Sequence, residues 1–194
     1  DHAAPFEYIV GSFFDSTDGW TEEEKQLYKP HKDALVWAAR GSGKTVCGAI
    51  TTHLDSIFRP GCETRILAGS ADQARKMYQY KTEYDLRSFP DVVDGEPLMS
   101  RTRYRNGSAV EILAASSKSV RGTHVQRLKY DELEDFKPNI LEAAQLVPQE
   151  QRGIPASVET FSTLHIQHGL MAEAVERAGD PGSEVTLYKW CCFC

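Results

Sequence analysis

The segment Ala38-Ala39-Arg40-Gly41-Ser42-Gly43-Lys44-Thr45 carries the residue types that wrap a phosphate group. Gly41 and Gly43 have no Cβ, so their backbone N–H groups can close tightly around an anion. Lys44 brings a point charge to terminal phosphates. Thr45 offers Mg²⁺ a hydroxyl at the positive end of a helix dipole. The spacing is that of G-x-x-x-x-G-K-[ST], with Ala38 in place of the first glycine. A chance Gly-Lys-Thr in a loop is the competing reading, and the apolar run before the motif and the helical run after it argue against that. Arg40, inside the loop, either reaches a phosphate or faces solvent. The chemistry these residues suit is ATP binding.

A second constellation is Leu128-Lys129-Tyr130-Asp131-Glu132, a strand ending in two carboxylates. Adjacent residues leaving a strand project differently, so one acid can serve Mg²⁺ through water while the other aims a water at the γ-phosphate. By itself an Asp-Glu pair is also a common surface dipeptide. Glu134 and Asp135, just beyond, read as solvated. A third is Thr160-Phe161-Ser162-Thr163, where strand-end hydroxyls beside a nucleotide could report its γ-phosphate. Thr163 alternatively caps the helix predicted over Ile166 to Ala178.

Several elements have to bring these groups together. Short apolar, β-branched or aromatic runs predict strands at Ala34 to Ala39, Thr64 to Ser70, Ala109 to Ala115, Arg127 to Asp131, Ser157 to Thr163 and Glu184 to Trp190. Helices are expected at Thr45 to Phe58, Ala71 to Ser88, Ile140 to Leu146 and Ile166 to Ala178. Arg59-Pro60-Gly61 and Phe89-Pro90 stop the first two. Asn106-Gly107 predicts a β-hairpin or ribbon within 103–112. Alternating strands and helices give an α/β fold around a mainly parallel sheet, with ligands at the carboxyl ends of the strands. All three constellations fall at such ends.

Composition sets the limits. The 194 residues are 41% hydrophobic and 26% charged, the balance of a folded domain. The net charge of −6 is not the footprint of a protein that coats nucleic acid, so any DNA contact is local or supplied by other parts. No apolar run reaches the ~20 residues of a membrane span, and the start, which lacks a Met, shows no secretory signal. Of five cysteines, Cys47 and Cys62 read as small buried hydrophobes. Cys191, Cys192 and Cys194 crowd the last positions, where Cys-x-x-Cys supplies half of a zinc site. Residues 1–190 are expected to form one domain and 191–194 to begin a linker.

Taken together, these residues resemble the packaging ATPase domain of the large terminase subunit of tailed double-stranded DNA bacteriophages. The shared features are Arg40 within a loop that lacks its first glycine, and the run Ala115 to His124 containing Arg121-Gly122. The strand ending Asp131-Glu132 and the pair Ser162-Thr163 complete them. Leu164 stands where the family often has proline. The resemblance spans about residues 20 to 170. It implies a P-loop NTPase of the additional-strand (ASCE, RecA-like) type that hydrolyses ATP with Mg²⁺ and translocates double-stranded DNA into a procapsid. Carried over, Arg40, Gly41, Ser42, Gly43, Lys44 and Thr45 bind nucleotide. Asp131 and Thr45 hold the metal, Glu132 is the catalytic base, and Ser162 and Thr163 couple hydrolysis to movement. Gln26 is the candidate adenine contact, or else a solvated helix residue. An arginine acting in trans on a neighbouring subunit comes from Arg101, Arg103, Arg105 or Arg121; the first three alternatively form a solvated ribbon face. The family implies a homo-oligomeric ring, the portal protein and the small terminase subunit as partners, no membrane, and the cytoplasm of the infected bacterial host. Its nuclease domain is not expected in these residues.

Two other readings compete. A helicase-like superfamily 2 ATPase would need a second RecA-like lobe. A nucleotide-binding regulatory module without turnover would have no use for Glu132 as a base.

Overall fold

The computed structural model describes residues 4–114, 124–144 and 146–191. In chain order these form α1 (Ala4–Phe13), α2 (Glu22–Leu27), β1 (Asp33–Ala38), α3 (Lys44–Phe58), β2 (Glu63–Ala68) and α4 (Ala71–Ser88). There follow β3 (Arg101–Arg103), β4 (Ala109–Ala114), β5 (Arg127–Asp131), α5 (Pro138–Ala144), β6 (Ser157–Ser162), α6 (Leu170–Ala178) and β7 (Val185–Trp190). The strands join in one seven-stranded sheet of order β3-β4-β2-β5-β6-β1-β7. Every pairing is parallel except β3 with β4.

The order places β6 between β1, which feeds the glycine loop, and β5, which ends in Asp131. An extra strand inserted there defines the additional-strand class of P-loop folds. Register aligns the ends: Trp37 lies opposite Ser162, and Asp131 opposite Phe161. The carboxyl ends of three neighbouring strands therefore meet at one place, and the three constellations arrive together.

Both faces of the sheet are covered, which is why β5 is buried along its whole length. Leu128 and Tyr130 pack with Phe136, Ile140, Leu141 and Met171 on the side of α5 and α6. On the other face Val36, Ile66 and Phe161 pack with Ala49, Met77 and Tyr8 from α3, α4 and α1. Lys129 points to that second face and is fully buried. Its ammonium lies 2.6 Å from Glu159 on β6 and donates to the Thr51 hydroxyl on α3 at 2.7 Å. Tyr8 of α1 donates to the same carboxylate. Burial alone would raise the Glu159 carboxyl. The Lys129 charge and the hydrogen bonds from Lys129 and Tyr8 outweigh it and hold the group at about 2.

Helix α3 crosses this face in close contact with β6 and α4. A Cβ at Gly48 would stand 2.6 Å from Met77 Cε and 2.9 Å from Phe161 Cζ, so this turn of the helix admits only glycine without rearrangement. Helix α4 opens with a capping box in which the Ser70 hydroxyl accepts from Gln73 N–H and the Gln73 amide accepts from Ser70 N–H.

Strands and helices lie within a few residues of their predicted places, and the hairpin stands where Asn106-Gly107 put it, with Gly107 at φ 86°. Three differences have physical reasons. The last helix begins at Leu170, not Ile166, and its N-cap is Gly169, so Thr163 does not cap it. Helix α5 spans Pro138–Ala144, starting two residues early because proline is favoured in a first turn. Helices α1 and α2 had no counterpart in the strand–helix alternation: α1 is short and apolar, and α2 is six residues held by a Thr21–Glu24 capping box. Ala115 and Leu146 end predicted elements; Ala115 lies outside the described residues, and Leu146 lies beyond the end of α5.

Candidate active site

The loop after β1 is closed by Ser42, whose hydroxyl donates to Ala39 O at 2.6 Å and whose N–H donates to the same oxygen at 3.3 Å. Gly41 and Gly43 take φ of 75° and 86°, the left-handed region that glycine enters without penalty. Nothing lies within 4 Å of a Cβ built on either, so backbone conformation, not crowding, requires glycine here. Gly43 is the N-cap of α3, and the free N–H groups of the first turn open into the cleft above it.

Lys44, the first residue of α3, is almost fully buried. Its ammonium lies 3.0 Å from Glu132 Oε1 and donates to Thr163 Oγ1 at 3.2 Å. Thr163 in turn donates to Ala38 O at 3.2 Å. One cation thus ties the glycine loop, the end of β5 and the end of β6. Thr45 donates its hydroxyl to Asp131 Oδ2 at 3.2 Å.

Asp131 is buried, and its second oxygen, Oδ1, has no hydrogen-bond partner. Burial, then the neighbouring Glu132 carboxylate, raises its pKa to about 6 against the pull of Lys44 and Thr45. An acceptor of this kind, beside a threonine hydroxyl, is an oxygen-donor pair suited to a hard cation that retains several waters. The residues present therefore fit Mg²⁺.

Glu132 sits at φ 57°, ψ 67°, a left-handed conformation unusual for a non-glycine residue and worth about 1–2 kcal/mol of strain. Its N–H donates to Phe161 O at 2.8 Å. That bond and the 3-10 turn Leu133–Asp135 hold the twist, which turns the Glu132 side chain away from the strand line and toward Lys44. Left-handed residues held by their surroundings cluster at functional sites.

The cleft over these groups has a volume of about 580 Å³ and is lined by Arg40, Gly41, Gly43, Lys44, Thr45, Asp131 and Glu132. Val46 of α3, Gln73, Lys76 and Tyr80 of α4, and Asp135 and His165 complete the lining and carried no motif in the sequence. Gln73 Nε2 donates to Asp135 Oδ2 at 2.6 Å, joining the start of α4 to the turn after β5. Asp135 therefore has a wall position. Glu134, expected to be solvated, accepts from Met171 N–H at 3.3 Å and anchors the start of α6.

The remaining sequence candidates are distributed as follows. Ser162 is fully buried with no hydrogen-bond partner for its hydroxyl, so it and Thr163 are not equivalent. Gln26 is exposed on α2 and is absent from the cleft lining. Arg101 and Arg103 lie on β3, at the far edge of the sheet from β1. Arg103 and Arg105 flank a turn at the amino ends of the parallel strands, the end away from the cradle. Arg121, Cys192 and Cys194 lie outside the described residues. Among the described residues no group of three His, Cys, Asp or Glu side chains could hold a metal, and no helix is long and apolar enough to cross a membrane.

No protein-family model matches the sequence, and no curated protein matches it either. Solved structures do match the fold. The large terminase ATPase domain of Thermus phage P74-26 superposes with a TM-score of 0.63 at 13% identity, covering 95% of this chain and 83% of that one. The large terminase of bacteriophage HK97 gives 0.72 at 15% identity, over 96% of this chain and 39% of that one. The large terminase of a thermophilic bacteriophage in complex with ADP gives 0.65 at 10% identity, over 97% and 44%. The chain thus spans less than half the length of these last two proteins. Its fold is that of the phage large terminase ATPase domains: a P-loop sheet of the additional-strand type with helices on both faces.

Proposed function

We propose that the chain is an ATP-hydrolysing motor domain that drives double-stranded DNA into a procapsid, as part of a large terminase subunit. The observation that carries this reading is the convergence on Lys44. A buried cation at the phosphate loop contacts both a twisted strand-end glutamate and the threonine of the inserted strand. A binding-only module has no use for that glutamate.

In this reading the first-turn N–H groups of α3, with Gly41, Gly43 and Lys44, hold the β- and γ-phosphates. Arg40 adds charge from the loop wall. Thr45 and Asp131 hold Mg²⁺, which neutralises phosphate charge. Glu132 accepts a proton from a water whose oxygen attacks the γ-phosphorus as the bond to the β–γ bridging oxygen breaks; ADP leaves as phosphate forms. Thr163 senses the change because it shares Lys44 with Glu132. Ser162, buried in β6, carries it into the sheet. Double-stranded DNA, the portal protein, the small terminase subunit and other copies of the chain in a ring are the partners this reading implies, in the cytoplasm of an infected bacterium.

The test is Glu132→Gln. The amide keeps the shape and gives up the base, so ATP should still bind while turnover falls about 10²-fold or more. Calorimetry with ATP and a phosphate-release assay read the two effects separately. Wild-type turnover in this variant would remove Glu132 from the chemistry.

A further inference from the structure

We propose that Trp190, at the end of β7, is a positioning residue for the phosphate loop. Its indole N–H holds the peptide that directs Gly43 N–H into the cleft. The inference rests on reading that cleft as a nucleotide site.

Trp190 is the last residue of β7 and lies in register with Ala38, the last residue of β1 before the loop. Its Nε1–H donates to Ser42 O at 2.9 Å. The ring is buried, and its centroid lies 6.4 Å from that of Tyr8, whose hydroxyl is fixed by Glu159. The donor therefore cannot swing freely.

In a trans peptide the C=O and the following N–H point in opposite directions. Holding Ser42 O toward β7 sends Gly43 N–H the other way, toward the cleft that Gly43 lines. The bonds from Ser42 to Ala39 O tie only the first half of the loop, from within. Glycine occupies left- and right-handed basins with similar ease, so the Ser42–Gly43 peptide is the part of the loop most able to flip. Trp190 supplies the tie from outside. A donor aimed before the anion arrives does not have to be reorganised on binding. The same bond couples the loop to an edge strand, so displacement of the end of β7 would be felt at the cradle.

Trp190→Phe keeps an aromatic ring and deletes the N–H. Titrated with ADP by calorimetry, this variant should bind about three- to tenfold more weakly, the loss expected for one neutral hydrogen bond. Phenyl is smaller than the buried indole, so the unfolding midpoint without nucleotide should fall while the variant stays folded at the titration temperature. A folded variant with unchanged ADP affinity would overturn the proposal, because a packing role alone predicts that result.

The indole ¹⁵N–H resonance of Trp190 gives a second readout in the wild-type chain, assigned with Trp20→Phe and Trp37→Phe. It should exchange slowly with solvent and shift on adding ADP. If the variant fails to fold, this resonance decides: rapid exchange and no shift would overturn the proposal. Wild-type protein that binds no ADP would bring down the site reading and the inference together. Wild-type binding with an indifferent Trp190→Phe would bring down the inference alone.

Discussion

Asp131 carries two demands that conflict. Burial and the neighbouring Glu132 charge push its pKa up to about 6, while a cation needs its carboxylate ionised. In the folded chain without metal, Asp131 binds its proton more tightly than in the unfolded chain. Its contribution to stability therefore falls as pH rises from the ordinary carboxylate range through about 6, then levels off. Metal binding runs the other way. Affinity for Mg²⁺-ATP should climb between about pH 5 and pH 7 and flatten above, and Asp131→Asn should remove most of that climb. Calorimetric titrations across this range check both. A wild-type profile that is flat from pH 5 to 7 would contradict the assignment of Asp131. The strain at Glu132 belongs to the same scale: a left-handed glutamate costs stability and is retained where its side chain must leave the strand line.

Among the elements, β5 and β6 are joined beneath the site by Lys129 and Glu159, two residues before Asp131 and three before Ser162. Glu159→Gln would leave the Lys129 ammonium buried without its counter-charge, a loss of about 3–5 kcal/mol. The wild-type carboxyl is held at about 2, below its unfolded value. Its contribution is therefore complete above the ordinary glutamate range and disappears as pH falls toward 2. The stability gap between wild type and Glu159→Gln should thus be widest near neutrality and narrow on acidification, as denaturant melts at several pH values would show. Replacing both partners, Lys129→Met with Glu159→Leu, should recover most of the loss. If the double variant is as unstable as the single one, the pair is needed for more than mutual neutralisation.

For the whole molecule, the cleft is open and its cations, Arg40, Lys44 and Lys76, come from the loop and α4 of one chain. The arginines of the hairpin lie at the other end and edge of the sheet. None of them lines this cleft. If the proposed motor is completed by an arginine in trans, DNA-stimulated ATP turnover per subunit should rise with protein concentration as copies assemble. A specific rate constant over a hundredfold range of concentration would contradict completion in trans. Arg103→Ala and Arg105→Ala, mixed with wild type, would show which copy supplies the group. On the proposed motor reading, the net charge of −6 leaves DNA contact to local loops and to the assembled copies, not to one subunit's overall field.

Much of this was legible in the chain because it is local. Gly41, Gly43, Lys44 and Thr45 work at a loop–helix junction whose geometry depends on neighbours in sequence, and Asn106-Gly107 specified its hairpin for the same reason. Asp131 and Glu132 could be assigned as strand-end acids, though not the left-handed twist that separates them, since Phe161 on another strand imposes it. Thr163 read equally well as a helix cap; only the placement of β6 beside β1 turned its hydroxyl to Lys44 and Ala38. Gln73, Lys76 and Tyr80 had no signal because a cleft wall on a helix needs only exposure and direction, not a motif. Trp190 was a strand residue until pairing with β1 brought its N–H to Ser42 O. The sequence alone determined the phosphate-loop motif and the α/β class, which follow from local spacing and period. The tertiary structure decided strand order, and with it which acids, hydroxyls and ring stand around the cradle, because contacts between distant segments are set by packing and not by sequence neighbours.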